Sequence, residues 1–125
     1  MRRRFVCALA VATSLLTTAA APSAFAGPAA AASCAPGQVC FWGAPGFEGP
    51  PVATFELANA DVEQCVSLPE GVDALSFANR MDRYVTMYQS RECATVGDFS
   101  TYPGDGVYVP VVPYAVRAFQ IWEKP

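Results

Sequence analysis

The 125-residue chain contains no histidine. That absence excludes Ser-His and Cys-His nucleophile pairs and every imidazole-based metal site, which removes most hydrolase chemistry. Basic residues are sparse: eight Lys and Arg stand against eleven Asp and Glu, and three of the eight are Arg2, Arg3 and Arg4. The remaining five, Arg80, Arg83, Arg91, Arg117 and Lys124, are scattered singly. No basic patch therefore exists to hold phosphates, and neither nucleic acid nor an anionic membrane is an expected partner. No Cys-x-x-Cys pair occurs, so the commonest metal-site spacing is missing and no metal or cofactor is expected. Long apolar runs are also lacking. The one candidate, Phe5 to Ala21, meets Pro22 and a Gly/Pro/Ala-rich stretch where a spanning helix of ~20 apolar residues would have to continue.

What that run does carry is an export signal. A basic start at Arg2-Arg3-Arg4, an uncharged apolar middle and the small-x-small triplet Ala24-Phe25-Ala26 place cleavage after Ala26. Residues 1–26 are thus read as a signal peptide, 27–33 as a disordered Pro/Ala leader and 34–125 as one domain of a secreted, extracellular protein. Two variants fit less well: the arginines loosely match a twin-arginine signal, and Ala31-Ala32-Ser33-Cys34 loosely matches a lipoprotein cleavage box. Cleavage removes three basic and no acidic residues, leaving five basic against eleven acidic side chains and a net charge of −6.

A mature chain of about a hundred residues supports one core and buries only ~60–65% of its unfolded surface, so cross-links add needed stability. Cys7 leaves with the signal. Cys34, Cys40, Cys65 and Cys93 remain, an even count that reads as two disulfides with three possible connectivities.

From Cys34 onward, Gly and Pro separate short runs rich in Val, Phe, Tyr and Thr, which is the spacing of strands and turns. Strands are expected at Gln38–Gly43, Val52–Leu57, Gln64–Leu68, Ala74–Arg80, Arg83–Gln89, Val96–Thr101, Gly106–Val112 and Ala115–Trp122. Eight strands in so short a domain imply an all-β sandwich or barrel. Alternation at Tyr84-Thr86-Tyr88 against Val85-Met87, and at Val116-Ala118-Gln120 against Arg117-Phe119-Ile121, predicts one packed and one wetter face on each of those strands. The single helical candidate is Glu56–Val66, a turn or two capped by Asn59 or Asp61.

The domain also divides into matched halves. Val39-Cys40-Phe41-Trp42 followed by Phe47 and Gly49 lies opposite Val85-Thr86-Met87-Tyr88 followed by Cys93 and Gly97, and Ser76-Phe77-Ala78 lies opposite Ala115-Val116-Arg117. Two four-strand units of this kind predict paired Greek keys.

Trp42-x-x-x-x-Phe47-x-Gly49 with the later Ser76 resembles the Greek-key signature of the βγ-crystallins. The resemblance implies a double Greek-key sandwich. In it an aromatic corner packs over a folded hairpin, Gly49 takes positive φ, and Ser76 ties the hairpin down by hydrogen bonds. The second half departs from it, with Cys93 in place of the second aromatic, Gly97 displaced and Ala115 in place of the serine, so its hairpin is expected to be looser. Further segments, Cys34-Ala-Pro-Gly-Gln-Val-Cys40, Ser76-Phe77-Ala78-Asn79 and Ala94-Thr95-Val96-Gly97, are similar to those of peptidase inhibitor family I36, the secreted actinobacterial inhibitors of metalloproteinases.

This resemblance implies an extracellular protease, a metalloproteinase, as partner, and a monomeric inhibitor rather than an enzyme. It also implies a reactive loop in the second half with its own small disulfide. Here that stretch is only Gln89-Ser90-Arg91-Glu92-Cys93, with one cysteine. The expected pairs are therefore Cys34 with Cys40 and Cys65 with Cys93, the latter worth ~3–4 kcal/mol in the loop-entropy picture. The candidate inhibitory loop is Ser90, Arg91, Glu92, Cys93, Ala94 and Thr95. An alternative is Cys65-Val66, where an apolar residue follows a cross-linked cysteine.

Many crystallin-like domains bind calcium through Asn or Asp residues just ahead of a Ser/Thr-Ser pair. Those positions hold Gly71, Val72 and Leu75 ahead of Ser76, and Pro110, Val111 and Tyr114 ahead of Ala115, so the oxygens are missing. Glu56, Asp61, Glu63, Glu70 and Asp73 are read as solvated surface rather than a carboxylate pair. The aromatics are read as core, apart from Tyr102, Tyr108 and Tyr114, whose Gly/Pro-rich surroundings make them candidate exposed anchors. The competing function is a non-inhibitory structural, ligand-binding or cell-wall-binding module of the same fold.

Overall fold

The structure, a computed structural model, describes Thr13, Ser14 and residues 33–124. The expected signal peptide and all of the leader but Ser33 lie outside the described residues. Among those described, no helix is long and apolar enough to cross a membrane.

Eight strands form in the expected places: β1 (Val39–Trp42), β2 (Ala53–Phe55), β3 (Cys65–Ser67), β4 (Ser76–Asn79), β5 (Val85–Tyr88), β6 (Phe99–Tyr102), β7 (Val107–Val109) and β8 (Ala118–Ile121). They make two four-stranded antiparallel sheets, ordered β2-β1-β4-β7 and β3-β8-β5-β6. Each half of the chain gives three strands to one sheet and one to the other: β3 crosses to the second-half sheet and β7 to the first-half sheet. Ala74 and Val116 bridge antiparallel where the halves meet.

The inward faces interdigitate between the sheets. Val39, Phe41, Phe77, Val85, Met87, Val116, Phe119 and Ile121 are buried in one cluster, with the Phe41 and Phe119 rings 5.2 Å apart. A second cluster, Cys34, Cys40, Trp42, Phe47 and Ala78, lies on the outer face of the first sheet, where β1 and β4 alternate away from the core. Both disulfides are formed, Cys34 to Cys40 and Cys65 to Cys93.

Three expectations from the sequence change. Glu56–Val66 is not helical. Asn59 Oδ1 accepts from the Glu56 amide at 2.7 Å while the Asn59 amide donates back to Glu56 O at 3.0 Å, a local ring that competes with helical hydrogen bonding. Glu63 then takes φ 60° and its amide donates to Ile121 O. Second, β5 has no wet face, since all four residues are buried. Its outward Thr86 is covered by Thr101, whose hydroxyl lies 2.6 Å away, and by Trp122, whose indole N–H donates to it at 2.7 Å, while Phe99 stacks on the outward Tyr88. Third, β6 starts at Phe99 rather than Val96. The hairpin mouth closes where the Gln89 amide donates to Asp98 O and Gln89 Oε1 accepts from the Asp98 amide, leaving Val96 beyond it in the turn.

Candidate functional site

The strand register aligns the halves more closely than their sequences do. Trp42 faces Ser76 across β1 and β4, as Tyr88 faces Ala118 across β5 and β8. The Leu75 amide donates to Trp42 O, as the Arg117 amide donates to Tyr88 O. Ala118, and not Ala115, therefore occupies the place of Ser76, which corrects the comparison made from sequence alone.

In the first half the hairpin between β1 and β2 folds over the outer face of its sheet. The Ser76 hydroxyl accepts from the Phe47 amide at 3.1 Å and donates to Ala44 O at 2.7 Å. The Trp42 indole N–H donates to Gly49 O at 3.1 Å, with Gly49 at φ 74°. The Trp42 and Phe47 rings meet edge to face at 5.2 Å, and Phe47 meets Tyr108 of β7 at 6.3 Å. Trp42, Phe47, Gly49 and Ser76 thus come together as one lock.

The second hairpin folds over the other sheet with different chemistry. Cys93 adopts φ 56°, matching φ 58° at Phe47. Across the sheet, Cys65 faces Gln120 as Tyr108 faces Ala78. The ring contact of the first half is therefore replaced in the second by a covalent bond, and the hairpin expected to be looser is cross-linked. Its other anchors lie on the same side. Ser67 Oγ donates to Arg91 O at 2.6 Å, and Arg91 Nη1 donates to Leu68 O at 2.7 Å and to Pro69 O at 3.2 Å. The Glu92 amide donates to Ser90 Oγ at 3.2 Å, and the Cys93 amide donates to Ser90 O at 3.2 Å, a compact turn that fixes the entry of the loop.

The two loops singled out from the sequence are consequently one assembly, Ser90–Thr95 lying against Cys65–Pro69. Their parts differ in availability. Val66 faces Phe119 and packs against the central cluster, so the alternative Cys65-Val66 reading lacks a projecting apolar side chain. Arg91 is occupied by backbone carbonyls and serves as a brace. The exposed members are Glu92 and Thr95, joined by a residue the sequence reading assigned to a strand: Val96 is 99% exposed. Only its place beyond the hairpin mouth distinguishes it, and that depends on the Gln89 side chain, which no local pattern announces.

The surroundings offer no competing centre. Among the described residues no group of three or more metal-ligating side chains forms and no pocket opens. With the register corrected, the positions that would carry calcium oxygens in the second half hold Pro113, Tyr114 and Arg117, and in the first half Val72 packs against the core. The residues do not fit the ion. Asp73 instead accepts from Arg117 Nε at 2.8 Å, and that hydrogen bond holds its carboxyl below the usual range. Two of the three candidate tyrosine anchors are structural. Tyr114 donates to Met87 O at 2.9 Å, with burial pushing its phenol up, and Tyr102 packs edge-on against Phe77 at 4.8 Å.

Comparison with curated proteins finds no match. Among solved structures, the chain is similar to the βγ-crystallin domain of Abundant Perithecial Protein from Neurospora crassa in its Ca2+-bound form, with a TM-score of 0.54 and 19% identity over 72% of this chain and 92% of that one. This likeness establishes the βγ-crystallin fold. Residues 27–100, a span that includes both hairpins and the cross-linked loop, match the family model described as Peptidase inhibitor family I36. The chain belongs to peptidase inhibitor family I36.

Proposed function

We propose that this protein is exported, freed of residues 1–26, and as a monomer blocks an extracellular metalloproteinase through the loop Ser90–Thr95. The observation that carries the reading is the bracing of that loop. One disulfide and the Ser67 and Arg91 hydrogen bonds hold it against β3 and the residues after it. A loop already fixed in shape loses little on entering a protease cleft, whereas a mobile one gives up about 0.5–1.5 kcal/mol per immobilised side chain. Because Arg91 is engaged by carbonyls, a protease selecting a free basic side chain is a poor partner.

The second reading, a non-inhibitory structural, ligand-binding or cell-wall-binding module, draws support from the fold shared with a βγ-crystallin domain. Titration of purified mature protein against thermolysin-like, subtilisin-like and trypsin-like proteases separates the two. Stoichiometric loss of activity of the metalloproteinase alone is the expected result. No inhibition of any of the three would favour the module.

A further inference from the structure

The stretch Ala94–Gly97 combines two properties. First, its apolar side chain is presented rather than packed. Val96 is 99% exposed, while the other large exposed apolar residues, Val52, Leu57, Tyr84, Phe99, Tyr108 and Val111, retain between 42% and 68% of their exposure. Second, Thr95 and Val96 form the tip of a turn, and among the described residues neither of them makes a hydrogen bond. The amides and carbonyls of these two residues are thus unpaired donors and acceptors that a partner's backbone can meet. The segment is nonetheless held at both ends, by the Cys65–Cys93 bond before it and the Gln89–Asp98 hydrogen bonds after it. Its neighbours Ala94, Thr95 and Gly97 are small, so nothing bulky shields the valine.

We propose that Val96 is the specificity-determining residue of the inhibitor, its side chain filling an apolar pocket of the protease while the Thr95–Val96 peptide lies over the catalytic centre. This rests on the inhibitory reading above and extends the contact loop by one residue beyond Thr95. The partner it selects has a pocket sized for a branched aliphatic side chain on the leaving-group side of the scissile bond.

The test uses the full mature protein against a thermolysin-like metalloproteinase, with inhibition constants for the parent, Val96→Asp and Val96→Leu. A carboxylate in an apolar pocket weakens inhibition by about 100-fold or more, and one added methylene leaves it within about tenfold. Thermal unfolding of all three proteins should coincide, because Val96 contributes no packing, so any lost inhibition reports the contact rather than the fold. Equal inhibition by parent and Val96→Asp overturns this assignment while leaving the inhibitory reading in place. Absence of inhibition by the parent overturns both.

Discussion

Ser76 has no exposure and its hydroxyl serves two backbone groups at once, the Phe47 amide and the Ala44 carbonyl. Ser76→Ala leaves that amide buried without an acceptor, and chemical denaturation should show a loss of about 1–3 kcal/mol. This residue was legible from the sequence because its role depends only on spacing to Trp42 and Phe47. Ala118 was not, since placing it in the mate's position requires knowing how β5 and β8 pair. Asp73 illustrates a surface effect. Its carboxyl is lowered by the Arg117 hydrogen bond, so the pair contributes stability that is present above the ordinary carboxylate pKa and is lost as pH falls through the lowered value. Asp73→Asn should therefore reduce the melting temperature slightly at pH 7 and low salt, and the two proteins should converge only in acid, once the pH has fallen below the lowered value. Added salt should narrow the gap, because both partners are solvent-exposed.

At the scale of elements, the two hairpins solve one problem in two ways. Each must hold a folded loop on the outer face of a sheet; the first uses rings and a serine, the second a disulfide with Ser67 and Arg91. Replacing both Cys65 and Cys93 by serine should cost about 3–4 kcal/mol in denaturant unfolding. It should also abolish inhibition at temperatures where the protein remains folded. Replacing Cys34 and Cys40, which are only 6 positions apart, should cost about 2 kcal/mol in the same loop-entropy picture and leave inhibition intact. All eight strands could be found from turn residues and β-formers because those signals are local. The 3-10 turn at Pro45–Phe47, the absence of a helix at Glu56–Val66 and the late start of β6 could not, since each is decided by hydrogen bonds to side chains or to distant strands. The same limit hid Val96, whose value as a contact residue lies in where the hairpin mouth closes.

The molecule as a whole carries a net charge of −6 beyond residue 26, yet acidity alone does not make a cation site. The crystallin fold is shared with a domain determined in its Ca2+-bound form. In this chain the corresponding places are taken by Gly71, Val72 and Leu75 and by Pro113, Tyr114 and Arg117, and the Tyr114 hydroxyl is already committed to Met87 O. Calorimetric titration with calcium should give no heat of micromolar binding, and millimolar calcium should leave the melting temperature unchanged. The paired Greek keys were visible in the sequence as a repeat. The crossing of β3 and β7 between sheets was not, because either strand has the same composition whichever sheet it joins. That crossing makes the duplication indivisible. Neither unit owns a complete layer, so truncation from either end dismantles both layers together, and the architecture cannot grow or shrink by one repeat as a string of beads can.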